Sequence, residues 1–161
     1  MQLSEGVEWA VHSCTMLAGL DADQALTTTQ LAEFFDLPRD YLAKHLQALS
    51  NAGLLAATRG RSGGYRLARP ASEVTLRDVM IAIEGSRPSF RCQEIRQRGL
   101  SGQPRACYRR ACGIARAMWA AEKVWLAELE KTTLAALIAE AAREVSREQK
   151  AAIARWLGRE T

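Results

Sequence analysis

Apolar and polar positions alternate along this chain with two different periods. Over residues 3–20, Leu3, Val7, Ala10, Cys14 and Leu17 recur at helical spacing, which predicts a first helix with one buried stripe. After a loop at residues 21–26, Thr27 and Gln30 form a capping box for a second helix reaching Phe35, with Leu31 and Phe34 buried. The stretch LPRDYLAKHLQALSNAGLLAATRGRSGGYRL organises the rest. Pro38 suits a first helical position, and Asp40 sits near the positive end of the helix dipole. Leu42, Leu46 and Leu49 make one apolar stripe, and Gly53 is the expected left-handed cap. Residues 54–58 and 65–67 then read as two strands around the glycine-rich turn of residues 59–64. Thr75 and Asp78 cap a helix through Glu84, with Leu76, Val79, Met80 and Ile83 inward and Gly85 as its stop.

The pattern breaks over residues 86–112, which carry two prolines, two glycines, three cysteines and many arginines without a sustained period. Such a long loop is expected to be functional. A strong helix follows over residues 113–131. Ile114, Met118, Ala121, Trp125 and Glu128 trace one face, widened by Val124, Leu126 and Leu129, so it is expected to pack on its own domain and on a second copy. A short helix to about residue 142 and a last one capped by Ser146 and Gln149 complete the chain, with Ile153, Trp156 and Leu157 docking. The expected fold is mainly α with a small β-hairpin wing: a winged helix-turn-helix over 1–85, a sensor loop over 86–112, and a dimerisation helix with C-terminal helices over 113–161.

The polar residues give this unit a use. Arg39, Tyr41, Lys44, His45 and Gln47 lie off the leucine stripe, and Arg59, Arg61 and Arg66 decorate the hairpin. A helix sized for a major groove beside a basic wing predicts double-stranded DNA as the partner. Thr28, Thr29 and Gln30 at the second helix's N-terminus are expected on phosphates, with Gly63 and Tyr65 joining the wing contacts. A solvated basic face is the plainer alternative. A protein-interaction winged helix is another. No phosphate loop, acid–base pair or oriented nucleophile points to an enzyme.

Charge and cysteines sharpen the picture. The net charge of +4 is modest, but Arg91, Arg96, Arg98, Arg105, Arg109, Arg110 and Arg116 crowd one segment. The N-terminal MQLSEGVEWAVH is acidic and amphipathic, unlike a secretory signal, and no run is long enough to span a bilayer, so a cytoplasmic location is expected. Four cysteines there point to metal or redox chemistry more than to structural disulfides. Cys92, Cys107 and Cys112 read C-x14-C-x4-C, which is not zinc-finger spacing. Cys107 and Cys112 lie close to the long helix's N-terminus, where thiolates are stabilised. Cys92 stands apart, and Cys14 is expected to be packed. Glu8 and His12, four apart with Trp9 beside them, read either as a surface ion pair or as a two-point metal grip.

The motifs YLAKHLQALSNAGLL, RGRSGGYRLARP and VTLRDVMIAIEG resemble the Rrf-type regulators of bacteria, the group of IscR, NsrR and RsrR, over residues 3 to about 137. GVEWAVH, CQEIRQRG and IARAMWAAE are most similar to the RsrR branch. The resemblance implies a homodimeric transcription regulator with a 2Fe–2S cluster at the dimer interface. It implies ligands from the first helix of the other subunit: Glu8 and His12 joining Cys107 and Cys112, with Trp9 as the side chain that repacks. The second ligand set is Cys92, Cys107 and Cys112 with one of Glu8 or His12, and a metal-free thiol switch is the further alternative. If the wing reaches phosphates, Arg59→Ala or Arg61→Ala weakens binding to all duplexes and lowers the salt slope by about one counterion each. A binding titration against salt concentration reads this, and an unchanged slope counts against the contact.

Overall fold

A computed structural model gives the fold and describes residues 3–21, 24–58, 60, 63–100 and 102–158. The helices are α1 (Glu5–Ala18), α2 (Thr28–Phe35), α3 (Arg39–Asn51), α4 (Leu76–Glu84), α5 (Gly113–Glu130), α6 (Leu134–Glu144) and α7 (Arg147–Trp156). Strands β1 (Leu55–Thr58) and β2 (Gly64–Leu67) pair antiparallel in the register Leu55 with Leu67 and Thr58 with Gly64. Helices α1, α2 and α3 followed by the hairpin and α4 form a winged helix-turn-helix, and α5 and α6 extend from it.

The caps form where the sequence places them. Thr27 with Gln30, Thr75 with Asp78 and Ser146 with Gln149 each make reciprocal capping boxes. Gly53 and Gly85 carry the left-handed φ values that stop α3 and α4. Pro38 sits one residue earlier than expected, as the N-cap, and its carbonyl accepts from the amides of Tyr41 and Leu42.

One core joins these elements. Ala10, Cys14 and Leu17 of α1, Leu31 of α2, Leu42, Leu46 and Leu49 of α3, Val74, Val79 and Leu134 are all buried. Each fully buried leucine contributes about 2 kcal/mol by burial. The expected α1 stripe is corrected at its start: Leu3 precedes the helix and is exposed, and Gly6 and Ser13 are buried instead. The helix begins after Ser4, whose amide and hydroxyl both donate to Glu84 Oε1 at 2.9 and 2.6 Å. That contact ties the start of α1 to the end of α4. Phe34 is only half-buried, covered by Trp156 at 4.7 Å between ring centroids.

Helix α5 divides its apolar residues. Ala115 is buried, and Trp125, Leu126 and Leu129 are half-buried, while Ile114 and Val124 are 69 % and 71 % exposed. Arg77 of α4 pairs with Glu130 at 2.8 Å. Leu76 N–H donates to Thr132 O and Leu134 N–H to Val74 O, which stitches the far end of α5 to the domain.

The wing is fixed to the body by a short bridge between Leu26 and Tyr65, whose amides donate to each other's carbonyls at 3.0 and 2.8 Å. A Cβ on Gly64 would lie 2.6 Å from the Leu26 carbonyl group, which is backbone and has nowhere to go. Gly64→Ala is therefore expected to lower unfolding stability by about 2 kcal/mol. Urea denaturation measures it, and an unchanged midpoint contradicts the close approach.

Candidate DNA-reading face and sensor loop

The exposed side of α3 presents Arg39, Tyr41, Lys44, Gln47 and Asn51. Arg39 Nε donates to Thr29 Oγ1 at 3.1 Å and so ties α3 to the N-terminal turn of α2. Lys44 Nζ lies 4.9 Å from the Tyr41 ring centroid, and Gln47 Nε2 donates to Asn51 Oδ1 at 2.9 Å. These contacts restrain the long side chains on the exposed side of α3. Thr28 is half-buried and Thr29 and Gln30 are exposed. The Gln30 amide oxygen is occupied by the capping box. Gly63 donates to Gly60 O within the wing turn, and Tyr65 packs against the core while its backbone holds Leu26. Arg59 and Arg61 lie outside the described residues.

His45 departs from the outward face expected of it. Its ring lies where a Cβ on Gly6 would sit, 2.4 Å from the ring's Cε1, and meets the Trp9 ring edge-on at 5.9 Å. The side chain belongs to the α1–α3 junction. Leu42, Leu46 and Leu49 point into the core, and His45, one residue before Leu46, lies at the margin of that stripe.

The sensor loop has a definite internal structure. Cys92 and Cys112 place their Sγ atoms 3.9 Å apart. Within the chain Cys92 is the thiol against Cys112, while Cys107 is exposed on a short turn at Arg105–Cys107. Cys112 is the N-cap of α5, and its sulfur accepts from Ala115 N–H at 3.3 Å. That hydrogen bond, first, and then Cys92 and the Arg96 guanidinium hold the Cys112 thiol below its ordinary pKa, against desolvation and Glu94.

Arg96 organises the segment around it. It forms a fork with both Glu94 carboxylate oxygens, donates to Arg110 O at 3.2 Å, and lies 4.8 Å from the Tyr108 ring centroid. Tyr108 OH donates back to Arg96 O at 2.6 Å. Glu94 takes a left-handed φ of 48°, a conformation that costs a non-glycine residue about 1 kcal/mol and is held here by the Arg96 fork. The loop is strapped to α5 by Ser89 N–H donating to Glu122 at 2.7 Å and by Trp119 Nε1–H donating to Phe90 O at 3.1 Å. None of this network is visible as periodicity. The one hint was the arginine density around a single tyrosine.

On α1, Glu8 and His12 are exposed, and Trp9 is half-buried against His45. The His12 ring lies 5.7 Å from that of Phe35 in α2. Cys14 is fully buried, and desolvation pushes its thiol up to about 12, so it is a packing residue. Two thiolates on one tetrahedral ion at metal–sulfur distances near 2.3 Å lie about 3.8 Å apart, which the Cys92–Cys112 spacing fits. Among the described residues no three histidine, cysteine or carboxylate side chains of one chain converge on a common point. The pair therefore fits half of a four-ligand centre.

The Cys112 environment has a direct consequence for reactivity. In iron-free protein, the pH midpoint for alkylation of Cys112 should fall below that of an ordinary thiol. Arg96→Ala should move it upward, because the neighbouring positive charge is lost. Rate-versus-pH profiles with iodoacetamide, read peptide by peptide, check this; an unmoved midpoint contradicts the role given to Arg96.

Known proteins place this geometry. Residues 3–140 match the Rrf2 family, described as "Iron-dependent Transcriptional regulator". The HTH-type transcriptional regulator YffB of Lactococcus lactis is 30 % identical over 135 residues, which is 84 % of this chain and 85 % of that protein. MT1325 of Mycobacterium tuberculosis, of the same type, is 35 % identical over 91 residues, 56 % of each chain. Among solved structures, the IscR of T. potens superposes with a TM-score of 0.67 at 21 % identity, covering 91 % of this chain and 93 % of that one. CymR of B. subtilis, the global cysteine regulator, superposes at 0.61 with 23 % identity, covering 87 % and 98 %. No helix among the described residues is long and apolar enough to cross a membrane. The chain belongs to the Rrf2 family of transcriptional regulators, and α2, α3 and the wing form its DNA-binding winged helix.

Proposed function

We propose that this regulator works as a homodimer that senses redox or iron–sulfur status through a 2Fe–2S cluster held between two chains. The observation that carries the reading is the Cys92–Cys112 pair, 3.9 Å apart at the N-terminus of α5. In this reading Cys92 and Cys112 come from one chain, and Glu8 and His12 from α1 of the second. Cys92 takes the place that the family resemblance gives to Cys107 in this reading, because Cys92 is the thiol that lies against Cys112. The exposed apolar side of α5, with Ile114, Met118, Trp119 and Val124, supports a second copy as the partner.

When bound, such a cluster supplies one-electron redox chemistry and a bond set that differs between its loaded and lost forms. The chain's own residues do the rest. The Ala115 N–H, first, and then Arg96 lower the Cys112 pKa and so favour its thiolate, as does its place at the α5 N-terminus. Glu8 and His12 stand on the same helix as Trp9, which packs on His45 of the recognition helix. A shift of α1 is therefore felt at α3, and half-sites on a duplex lie about one turn, roughly 34 Å, apart, so small rotations change the fit.

A metal-free thiol regulator is the second reading, favoured by the same sulfur pair. Purification without air separates the two. The cluster reading predicts coloured protein with about two iron and two sulfide per chain. Cys92→Ser and Cys112→Ser should remove the colour, Glu8→Ala and His12→Ala should weaken or shift it, and Cys107→Ser and Cys14→Ser should leave it. Colourless wild-type protein without iron overturns the reading, and loss of colour in Cys107→Ser equal to that in Cys92→Ser overturns the ligand choice.

A further inference from the structure

We propose that Cys92 and Cys112 are also a reversible dithiol–disulfide pair, closing within one chain when metal-free protein meets hydrogen peroxide. The pairing stands on the geometry of the single chain and does not require that a cluster ever binds. The two sulfurs are already in S–H···S contact at 3.9 Å, so bond formation at about 2.05 Å needs an approach of roughly 2 Å. Cys92 lies in an irregular stretch before the Ile95–Gln97 turn and is free to make that approach without breaking a helix. Cys112 is fixed as the α5 N-cap. The exposed Cys107, though only five residues from Cys112, sits on its own turn facing solvent.

The chemistry balances with the peroxide as sole oxidant. The Cys112 sulfur, which accepts from Ala115 N–H at 3.3 Å, attacks one peroxide oxygen as its thiolate. The O–O bond breaks, Cys112 becomes a sulfenic acid, and hydroxide takes up a proton to leave as water. The Cys92 thiol then attacks the Cys112 sulfur, forming S–S and breaking S–O. Its proton and the departing hydroxide make the second water. Two electrons have passed from two thiols to one peroxide. The product spares Cys112 from irreversible oxidation and removes both sulfurs from metal binding until a thiol reductant restores them. A disulfide here also closes the loop around the Arg96–Tyr108 network, so the loop keeps its shape while it waits.

The sequence makes the test clean, because Arg91, Arg96, Arg105, Arg109, Arg110 and Arg116 put each loop cysteine on its own tryptic peptide: 92–96, 106–109 and 111–116. Full-length protein is stripped of iron by chelation under reductant, freed of both, treated with one equivalent of hydrogen peroxide, alkylated, digested and mapped by mass spectrometry. The expected result is a 92–96 to 111–116 link, with two of four free thiols lost and both recovered with dithiothreitol. The same link should form in Cys107→Ser. In Cys92→Ser the sulfenic acid on Cys112 should persist and be trapped by dimedone. A 106–109 to 111–116 link, a link only between chains, or over-oxidised Cys112 without any link overturns the proposal. Iron content of the protein before stripping is measured alongside. A mapped link in protein that never carries iron removes the cluster reading and leaves this one, and iron-loaded protein whose stripped form yields no link does the reverse.

Discussion

The packing of α1 against α3 is the constraint on which the rest depends. Gly6 has no side chain because the His45 ring occupies the place a Cβ would take. Ala10, Cys14 and Leu17 continue the same buried line into the core shared with Leu42, Leu46 and Leu49. The N-terminal end of α1 is held by Ser4 on Glu84, and its outer side carries Glu8 and His12. One helix thus touches α3 with its inner side and carries Glu8 and His12, the ligands we propose, on its outer side. Close-packed interfaces of this kind do not deform gradually, so a force on the outer side moves the helix as a unit.

The sensor loop solves a different problem. A segment with this many arginines and hardly any apolar residues has no core of its own. It is shaped instead by one guanidinium, Arg96, that satisfies Glu94, the Arg110 carbonyl and the Tyr108 ring together. The same guanidinium, together with the Ala115 N–H, favours the anionic form of the Cys112 sulfur. Surface ion pairs of this sort add little to stability singly, and their value here is to position Cys92 and Cys112.

What the sequence disclosed and what it hid follow from the range of each interaction. Caps and stripes are local: Thr27 with Gln30, Thr75 with Asp78 and the α3 leucines act over three or four residues, and each formed as read. The helix boundaries moved by one or two residues at Pro38 and Ser4, where tertiary contacts choose the last turn. At the cysteines, distance along the chain and distance in space differ. Cys107 is near Cys112 along the chain, but the Arg105–Cys107 turn leaves it exposed, while the loop returns Cys92 across twenty residues to meet Cys112. His45 was likewise readable as polar and helical, but its burial against Gly6 depends on an interhelix contact that no local pattern encodes.

The central claim is that one chain's thiols and another chain's α1 complete a single site. Mixing two iron-free variants tests it most directly: Glu8→Ala/His12→Ala protein, which retains both sulfurs, and Cys92→Ser/Cys112→Ser protein, which retains the α1 pair. Each alone should fail to take up iron and sulfide. Co-refolded, they form mixed dimers with one complete site, and the account predicts iron and visible colour in that species at about half the wild-type dimer's content. Mixed dimers that stay colourless while wild-type protein loads normally would contradict it.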